Sequence, residues 1–428
     1  MTVLQVNPVV RFTTSTGRIM QEIGECAIRH GWNSYIAYAK GRETPSGLFR
    51  NSTSDLSLIE GCGSSLIPVG NVVSVAAHLM NTRLFDRHGL SSVHATKTLV
   101  NRMKRISPDI VHLHNLHGYY LNYRILFDFL KKSGVPVVWT LHDCWPFTGH
   151  CYYYSAVRCR KWEYGCESCP QLSTFPASIF MDRSKRNYLE KCQTFNSLNS
   201  GQLTVVCVSE WMKGEIKRSF MRDIDCKVIH NGIDTSIFYP RPAICHDDIK
   251  IKLGIPVKKR IILAVASVWS KHKGIEDLLA LSRLLEKDEL MVVVGMSEKS
   301  RLPSNIINLG RISSLDRLAE IYSVADVFIN PTYQDNFPTV NLEAQACGTP
   351  VITYDTGGSP ESISRETGAI VKTGDIMEML LKVRGFFDWD IDRADSCHNH
   401  IVMNYKAEDR YQEYLTLYKR KAMALPLG

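Results

Sequence analysis

The segment from Asp326 to Tyr354 restricts the fold more than any other part of this chain. An apolar run, Asp326-Val327-Phe328-Ile329, leads into a polar loop from Pro331 to Pro338 and then into a short helical stretch containing Glu343. Cys347-Gly348-Thr349-Pro350 supplies the glycine and proline that stop a helix, and Val351-Ile352-Thr353-Tyr354 is a second apolar run. Strand, loop, helix and strand in this order make a βαβ unit, which needs a parallel sheet wrapped by helices. In an open sheet of that kind ligands bind beyond the carboxyl ends of the strands. Asp335 falls at that edge and Glu343 eight positions later, inside the helix.

The same alternation runs along the whole chain in two series. The first has strand-like runs at Val3–Val6, Ser34–Tyr38, Ile110–His114, Val135–Trp139, Leu203–Val208 and Lys227–Ile229, with helical patterns at Arg18–His30 and Asn122–Lys132. A polar turn, Thr13-Thr14-Ser15-Thr16-Gly17, follows the first strand. His230 to Pro242 holds Asn231-Gly232 and ends Tyr239-Pro240-Arg241-Pro242, a turn followed by a linker. The second series has Arg260–Val265, Leu290–Val294, Ile306–Leu309 and the two runs described above. The expectation is α/β: two Rossmann-like, doubly wound domains facing across a cleft, residues 1–238 and 239–403. A helix and tail over 404–428 follow, with Tyr411, Tyr414, Leu415 and Tyr418 at helical spacing.

A hydrophobic content of 44% with 22% charged residues belongs to a water-soluble globular chain. Its 428 residues suffice for two ordinary domains, and no apolar run is long enough to span a bilayer. Met1-Thr2-Val3-Leu4-Gln5-Val6 enters a strand at once and has no basic, signal-like start. The expected compartment is therefore the cytoplasm, where thirteen cysteines remain thiols. The net charge of +8 suits phosphate-rich ligands or an anionic membrane surface. It is spread thinly, with short clusters at Arg102–Arg105 and Lys419–Lys421, so no nucleic-acid partner is expected.

The run from Pro331 to Val351 resembles the signature of retaining glycosyltransferases of family 4, which have the GT-B fold. Glu343 matches the second of the signature's two glutamates. Asp335 replaces the first, one methylene shorter, and Thr332 stands for the usual serine. The stretch from His142 to Cys151, His-Asp-x-Trp-x-Phe-Thr-Gly-x-Cys, is similar to one in transferases of bacterial surface-polysaccharide biosynthesis of the colanic-acid kind. The resemblance implies transfer of a sugar from a nucleotide-diphosphate sugar to a hydroxyl of a glycan or lipid-linked acceptor, with retention of configuration. It implies no catalytic metal, and a last helix that crosses back to the first domain. A location on the inner face of the membrane, without insertion, follows from acceptors of that class.

On the same resemblance Lys273, before Gly274, meets the donor diphosphate; Glu343 binds the ribose hydroxyls; Asp335 lies by the donor sugar; and Arg311, after Gly310, contacts the donor. The family's arginine five residues before the lysine is Val268 here, so Lys271 or His272 would replace the lost charge. His142 would touch the transferred sugar or the acceptor. Gly17, after the first strand, would let backbone approach a phosphate or sugar. His112 and His114 share one strand face and suit buried packing.

Cys151, Cys159, Cys166 and Cys169 crowd into nineteen residues, and Cys166-Glu167-Ser168-Cys169 has the spacing of a zinc knuckle. Such a set reads as a closed, structural zinc site; thiols buried among Tyr152, Tyr153, Tyr154 and Trp162, or disulfides, are the alternatives. Asp-x-Asp triplets at Asp223, Asp388 and Asp390 match what chance gives in a chain with 43 acids. Two other functions fit the same fold: a GT-B epimerase or phosphorylase, and a nucleotide-sugar-binding protein without catalysis.

Overall fold

A computed structural model describes residues 1–10, 15–39, 62–297, 302–387 and 391–424. Thr13 and Thr14 of the expected turn, and the Asp388 and Asp390 positions of two acidic triplets, lie outside the described residues. The chain forms two compact units. One comprises Met1–Ile229 with Tyr411–Gly428, the other His230–Arg410.

The first unit is built on a seven-stranded parallel sheet. Its strands are β1 (Thr2–Val6), β2 (Asn33–Tyr38), β3 (Ser65–Pro68), β4 (Ile110–Leu113), β5 (Val137–Leu141), β6 (Leu203–Cys207) and β7 (Asp225–Val228). Their spatial order is β3-β2-β1-β4-β5-β6-β7. The central strands β4, β5 and β6 are buried at every residue, as a parallel sheet covered on both faces requires. Trp139 of β5 packs against Phe127 and Phe195 from flanking helices, with its indole N–H donating to the His114 carbonyl at 2.9 Å. The helix Tyr123–Ser133 starts where the Asn122 side chain accepts from the Ile125 amide and ends at Gly134, whose φ of 68° relieves the carboxyl end.

The second unit holds six parallel strands: β8 (Arg260–Val265), β9 (Glu289–Val294), β10 (Ile306–Asn308), β11 (Val327–Asn330), β12 (Val351–Tyr354) and β13 (Gly368–Val371). Their order is β10-β9-β8-β11-β12-β13. The chain winds outward from β8 to one edge and then returns to lay β11 on the other side of β8. The switch point therefore lies between β8 and β11. Ile262, Ala264, Met291, Val293, Val327, Ile329 and Ile352 form the core beneath the helices.

The last helix, Ala407–Ala424, joins the first unit from Tyr411 onward. Tyr411, Tyr414, Leu415 and Tyr418, the residues at helical spacing, are all buried. The Tyr418 hydroxyl bonds His112 Nδ1 at 2.5 Å, and Thr140 donates to the Tyr414 hydroxyl at 3.1 Å. This helix thus adds partners for polar groups that β4 and β5 would otherwise bury alone.

Candidate active site

In the second unit, the loops at the switch point follow β8 and β11. The first carries Lys273 and the second Asp335, and their side chains meet at 2.7 Å between Nζ and Oδ2. Both are partly exposed. The main chain fixes this meeting. Gly274, at φ +74°, lies so close to the β11 loop that a Cβ there would stand 2.1 Å from the Pro331 carbonyl oxygen. The Tyr333 amide donates to the His272 carbonyl at 2.9 Å. On the other side, a Cβ on Gly357 would come within 1.8 Å of the Asp335 carbonyl, and Gly358 N–H donates to that same oxygen at 3.2 Å. Three loops at the carboxyl edge are locked together by two close approaches that only glycine allows.

Side chains reinforce the lock. The Tyr333 and Tyr354 hydroxyls both donate to Asp277 Oδ2 at 2.7 Å. Burial, then the bonded Asp277 carboxylate, push the Tyr333 phenol up to about 12, so it stays a donor across the physiological range. Thr332 is fully buried, and its hydroxyl donates to the Gln334 carbonyl at 3.0 Å.

Glu343 stands in the middle of the helix Thr339–Ala346, the one that follows the Asp335 loop. It is 4% exposed, and Oε2 accepts from the Tyr322 hydroxyl at 3.1 Å. Two acidic residues and one lysine thus share a single strand-to-helix connection and its neighbour.

In the first unit β5 delivers His142 and Asp143. His142 Nε2 lies 3.0 Å from His114 Nδ1, with the rings stacked. Asp143 Oδ2 bonds His117 Nε2 at 2.5 Å, and its Oδ1 accepts from the Trp145 amide at 2.9 Å. Burial disfavours the Asp143 carboxylate. His117 and the Trp145 amide outweigh that cost and hold its carboxyl below the usual range. Burial takes His142 the other way, down to about 4, against the pull of Asp143, so its imidazole is neutral at pH 7.

Cys151, Cys159, Cys166 and Cys169 line one small cavity together with His150. All thirteen cysteines are free thiols. Among the described residues no group of three or more His, Cys, Asp or Glu side chains is placed to hold a metal ion. The structural-zinc expectation gains no support from this arrangement. Cys166 Sγ accepts from the Gly149 amide at 3.2 Å. Other groups order the loop. Lys191, 1% exposed, donates to the Trp145 and Thr148 carbonyls at 2.7 and 2.9 Å, and its ammonium sits 3.6 Å from the centre of the Trp145 ring. His150 Nδ1 pairs with Asp86 at 2.7 Å, and Tyr154 stacks on Trp162.

Two family models match the chain. One, described as Glycosyltransferase Family 4, covers residues 62–237; the other, Glycosyl transferases group 1, covers residues 246–398. The chain belongs to the family 4 glycosyltransferases. Among relatives, the Escherichia coli protein WcaC, named as a glycosyl transferase of colanic acid biosynthesis, is 24% identical over 322 residues, 72% of this chain and 74% of WcaC. Among solved structures, a sucrose-phosphate synthase from Thermosynechococcus elongatus superposes with a TM-score of 0.72 at 16% identity, covering 99% of this chain and 100% of that one. Anabaena HepE in complex with UDP-glucose gives 0.66 at 13% identity, covering 98% and 100%. These likenesses establish the GT-B fold.

Within this glycosyltransferase, the sequence-predicted residues fall at separate places. Lys273 and Asp335 are brought into contact, and Glu343 follows in the next helix. Lys271 does not join them: its Nζ is 3.5 Å from Glu276, and both side chains are exposed. Val268, at the position of the family's arginine, is 71% exposed. Arg311 follows β10, beyond the tight contact in which the Gly295 amide donates to the Gly310 carbonyl at 2.6 Å. Gly17 is not in a loop. It is the third residue of the helix Ser15–Arg29 and is buried there, in the first turn, whose backbone N–H groups have no acceptor within the helix. Sequence reasoning missed the Gly357-Gly358-Ser359 turn, although a glycine pair just after an apolar strand was a usable signal.

Proposed function

We propose that this glycosyltransferase moves a sugar from a nucleotide-diphosphate sugar to a hydroxyl of a glycan or lipid-linked acceptor, with retention of configuration. The observation that carries the reading is the Lys273–Asp335 contact at the switch point of the second unit, where an open α/β sheet takes its ligands. HepE has been solved with UDP-glucose, and a starch synthase of Arabidopsis thaliana with ADP and acarbose, which supports a donor of this chemistry.

Lys273 places its ammonium on the diphosphate, where negative charge grows as the bond to the sugar C1 breaks. The acceptor oxygen attacks C1 from the side the diphosphate leaves, and its proton passes to the departing phosphate oxygen. No carboxylate need act as nucleophile; holding two substrates in line and stabilising the leaving group supply the rate. Glu343 accepts hydrogen bonds from the ribose hydroxyls, and Asp335 stands beside the donor sugar. His142, in the first unit, meets a sugar hydroxyl. The test is proton NMR of the product formed from a panel of nucleotide sugars and glycan acceptors. An α-linked donor is expected to give an α-linked product; a β-linked product would overturn retention, and sugar 1-phosphate formed from glycan and added inorganic phosphate, with the nucleotide sugar left unconsumed, would favour a phosphorylase.

The acceptor reading extends to the membrane surface. Among the described residues no helix is long and apolar enough to cross a bilayer. Yet Met80, Ile179 and Phe180 are 61%, 64% and 75% exposed, brought near one another where the Ile179 amide donates to the Arg83 carbonyl. Arg83 and Arg87 are exposed beside them. Apolar side chains flanked by arginines suit the headgroup region of an anionic leaflet. The chain is expected to co-sediment with phosphatidylglycerol vesicles, to release in high salt, and to lose about tenfold in affinity when Arg83 and Arg87 become alanine, two charges at about 1 kcal/mol each being the upper bound. Equal binding to neutral vesicles would contradict it.

A further inference from the structure

The loops after β1 and β4 stand at the switch point of the first unit's sheet, because β2 and β3 are laid down on one side of β1 and β4 on the other. The two loops are pressed together: a Cβ on Gly118, at φ +119°, would stand 2.8 Å from Pro8 Cβ. The Gly118 amide donates to His88 Nε2 at 3.2 Å, and His88 is itself buried. His117, the preceding residue, is therefore carried on a fixed backbone.

Its side chain is fixed from the other end. Asp143, in the loop after β5, accepts from the Trp145 amide with Oδ1 and meets His117 Nε2 with Oδ2 at 2.5 Å. The Asp143 carboxyl is held below its usual range, so at pH 7 it is ionised and can only accept. His117 Nε2 therefore carries a hydrogen, and Nδ1 is the nitrogen left for a further partner. Among the described residues Nδ1 has no hydrogen-bond partner, and the side chain is 13% exposed.

The surroundings of this nitrogen are aromatic. Phe175, 38% exposed, stands edge-on to the imidazole with ring centres 5.8 Å apart. Tyr119 and Tyr152 pack against Phe175 at 5.8 and 5.4 Å. One placed polar atom beside exposed aromatic surface is the composition of a small-molecule subsite. A pyranose fits it chemically: the C–H face of the ring is apolar and its hydroxyls need polar partners. A hydroxyl suits Nδ1 in either charge state, donating to the bare nitrogen and accepting from the protonated one.

We infer that His117 and Phe175 form a subsite for the acceptor sugar. His117 Nδ1 pairs with one ring hydroxyl, Phe175 packs on the sugar's C–H face, and Asp143 is a positioning residue that aims the imidazole. Assigning the sugar as the acceptor rests on the proposed function; the sugar subsite itself does not.

The experiment uses the full chain labelled with 15N-histidine, with the His117 signals assigned by their loss in His117→Ala. The probes are the methyl α- and β-pyranosides of glucose, galactose, mannose and fucose, each also as its monodeoxy analogues. At least one glycoside is expected to shift the His117 Nδ1 signal, and removal of one of its hydroxyls to abolish the shift. With that glycoside as acceptor, His117→Ala should raise the acceptor KM about tenfold, the loss of one hydrogen bond, and move the nucleotide-sugar KM far less. Parent and deoxy glycoside should then have equal KM in the variant. His117→Asn, whose amide reaches the place of Nδ1, should recover part of the loss. In Asp143→Asn one amide oxygen cannot serve both the Trp145 and His117 N–H groups, so acceptor KM should rise more than kcat falls. Phe175→Ala should raise acceptor KM several-fold and Phe175→Trp should not; these exposed changes also serve if an Asp143 variant does not fold. A glycoside panel that leaves every His117 signal in place would overturn the subsite. Sugar transfer with unchanged acceptor KM in folded His117→Ala would overturn it too and leave the functional reading standing. Glycoside shifts at His117 in a chain that transfers no sugar would refute the functional reading and leave the subsite standing.

Discussion

Replacing Lys273 by alanine is expected to lower kcat by about 10²–10³ while weakening donor affinity far less. The ammonium lies 2.7 Å from Asp335 in the structure, so part of its charge is already answered before a donor arrives. A ground-state diphosphate competes with that carboxylate and gains modestly. In the transition state the diphosphate takes on the charge of the breaking bond, and the lysine's pull grows with it. Only the growing part of the interaction speeds the reaction. Val268 sharpens the expectation: with no arginine at that position, and Lys271 turned to Glu276, fewer cations share the load. Steady-state rates and calorimetric affinities on the folded variant check it. Equal losses in affinity and rate would mean that Lys273 serves binding alone.

The central strands could be read directly. β5, β6, β8 and β9 are apolar at nearly every position because helices cover both faces of each sheet, and such runs stand out in a sequence. β3 and β13 could not. Ser65-Leu66-Ile67-Pro68 and Gly368-Ala369-Ile370-Val371 are short edge strands, half exposed, carrying a proline or glycine that reads as a turn. The helix Val72–Phe85 escaped for another reason: its apolar residues lie on every side and give no 3.6-residue period.

At the site, the residue types were legible but their company was not. Lys273 and Asp335 stand 62 positions apart, and they meet only because β11 returns to pair with β8, a topological fact no local pattern contains. Gly17 was read as a loop glycine because its turn signals precede it, whereas the helix begins two residues earlier, at Ser15. The cysteines show the limit of spacing arguments most clearly. Their intervals match a zinc knuckle, but intervals do not say where sulfurs point, and here Cys166 accepts from the Gly149 amide while Lys191 and His150 tie the loop to its surroundings. His112 and His114 are buried, as their shared face suggested; what the sequence withheld was the set of fixed partners that makes His114 the link between β1 and His142.

Glu343 offers the most direct measurement of the donor site, because its proposed partner, the ribose, takes no part in the bond that breaks. The carboxylate is buried and anchored by the Tyr322 hydroxyl at 3.1 Å, so its position is set before the nucleotide arrives. Ribose hydroxyls that donate to it lose a charged acceptor in Glu343→Ala, a cost of about 1.5–3 kcal/mol. In Glu343→Asp the shorter side chain loses reach, and a smaller cost is expected. The measurement is calorimetric titration of UDP, ADP and GDP into the wild type and the folded alanine variant. The account predicts that at least one nucleoside diphosphate binds the wild type and binds Glu343→Ala at least tenfold more weakly. Unchanged affinity in the variant, or no diphosphate binding to the wild type at all, would contradict a donor seated at the β8–β11 switch point.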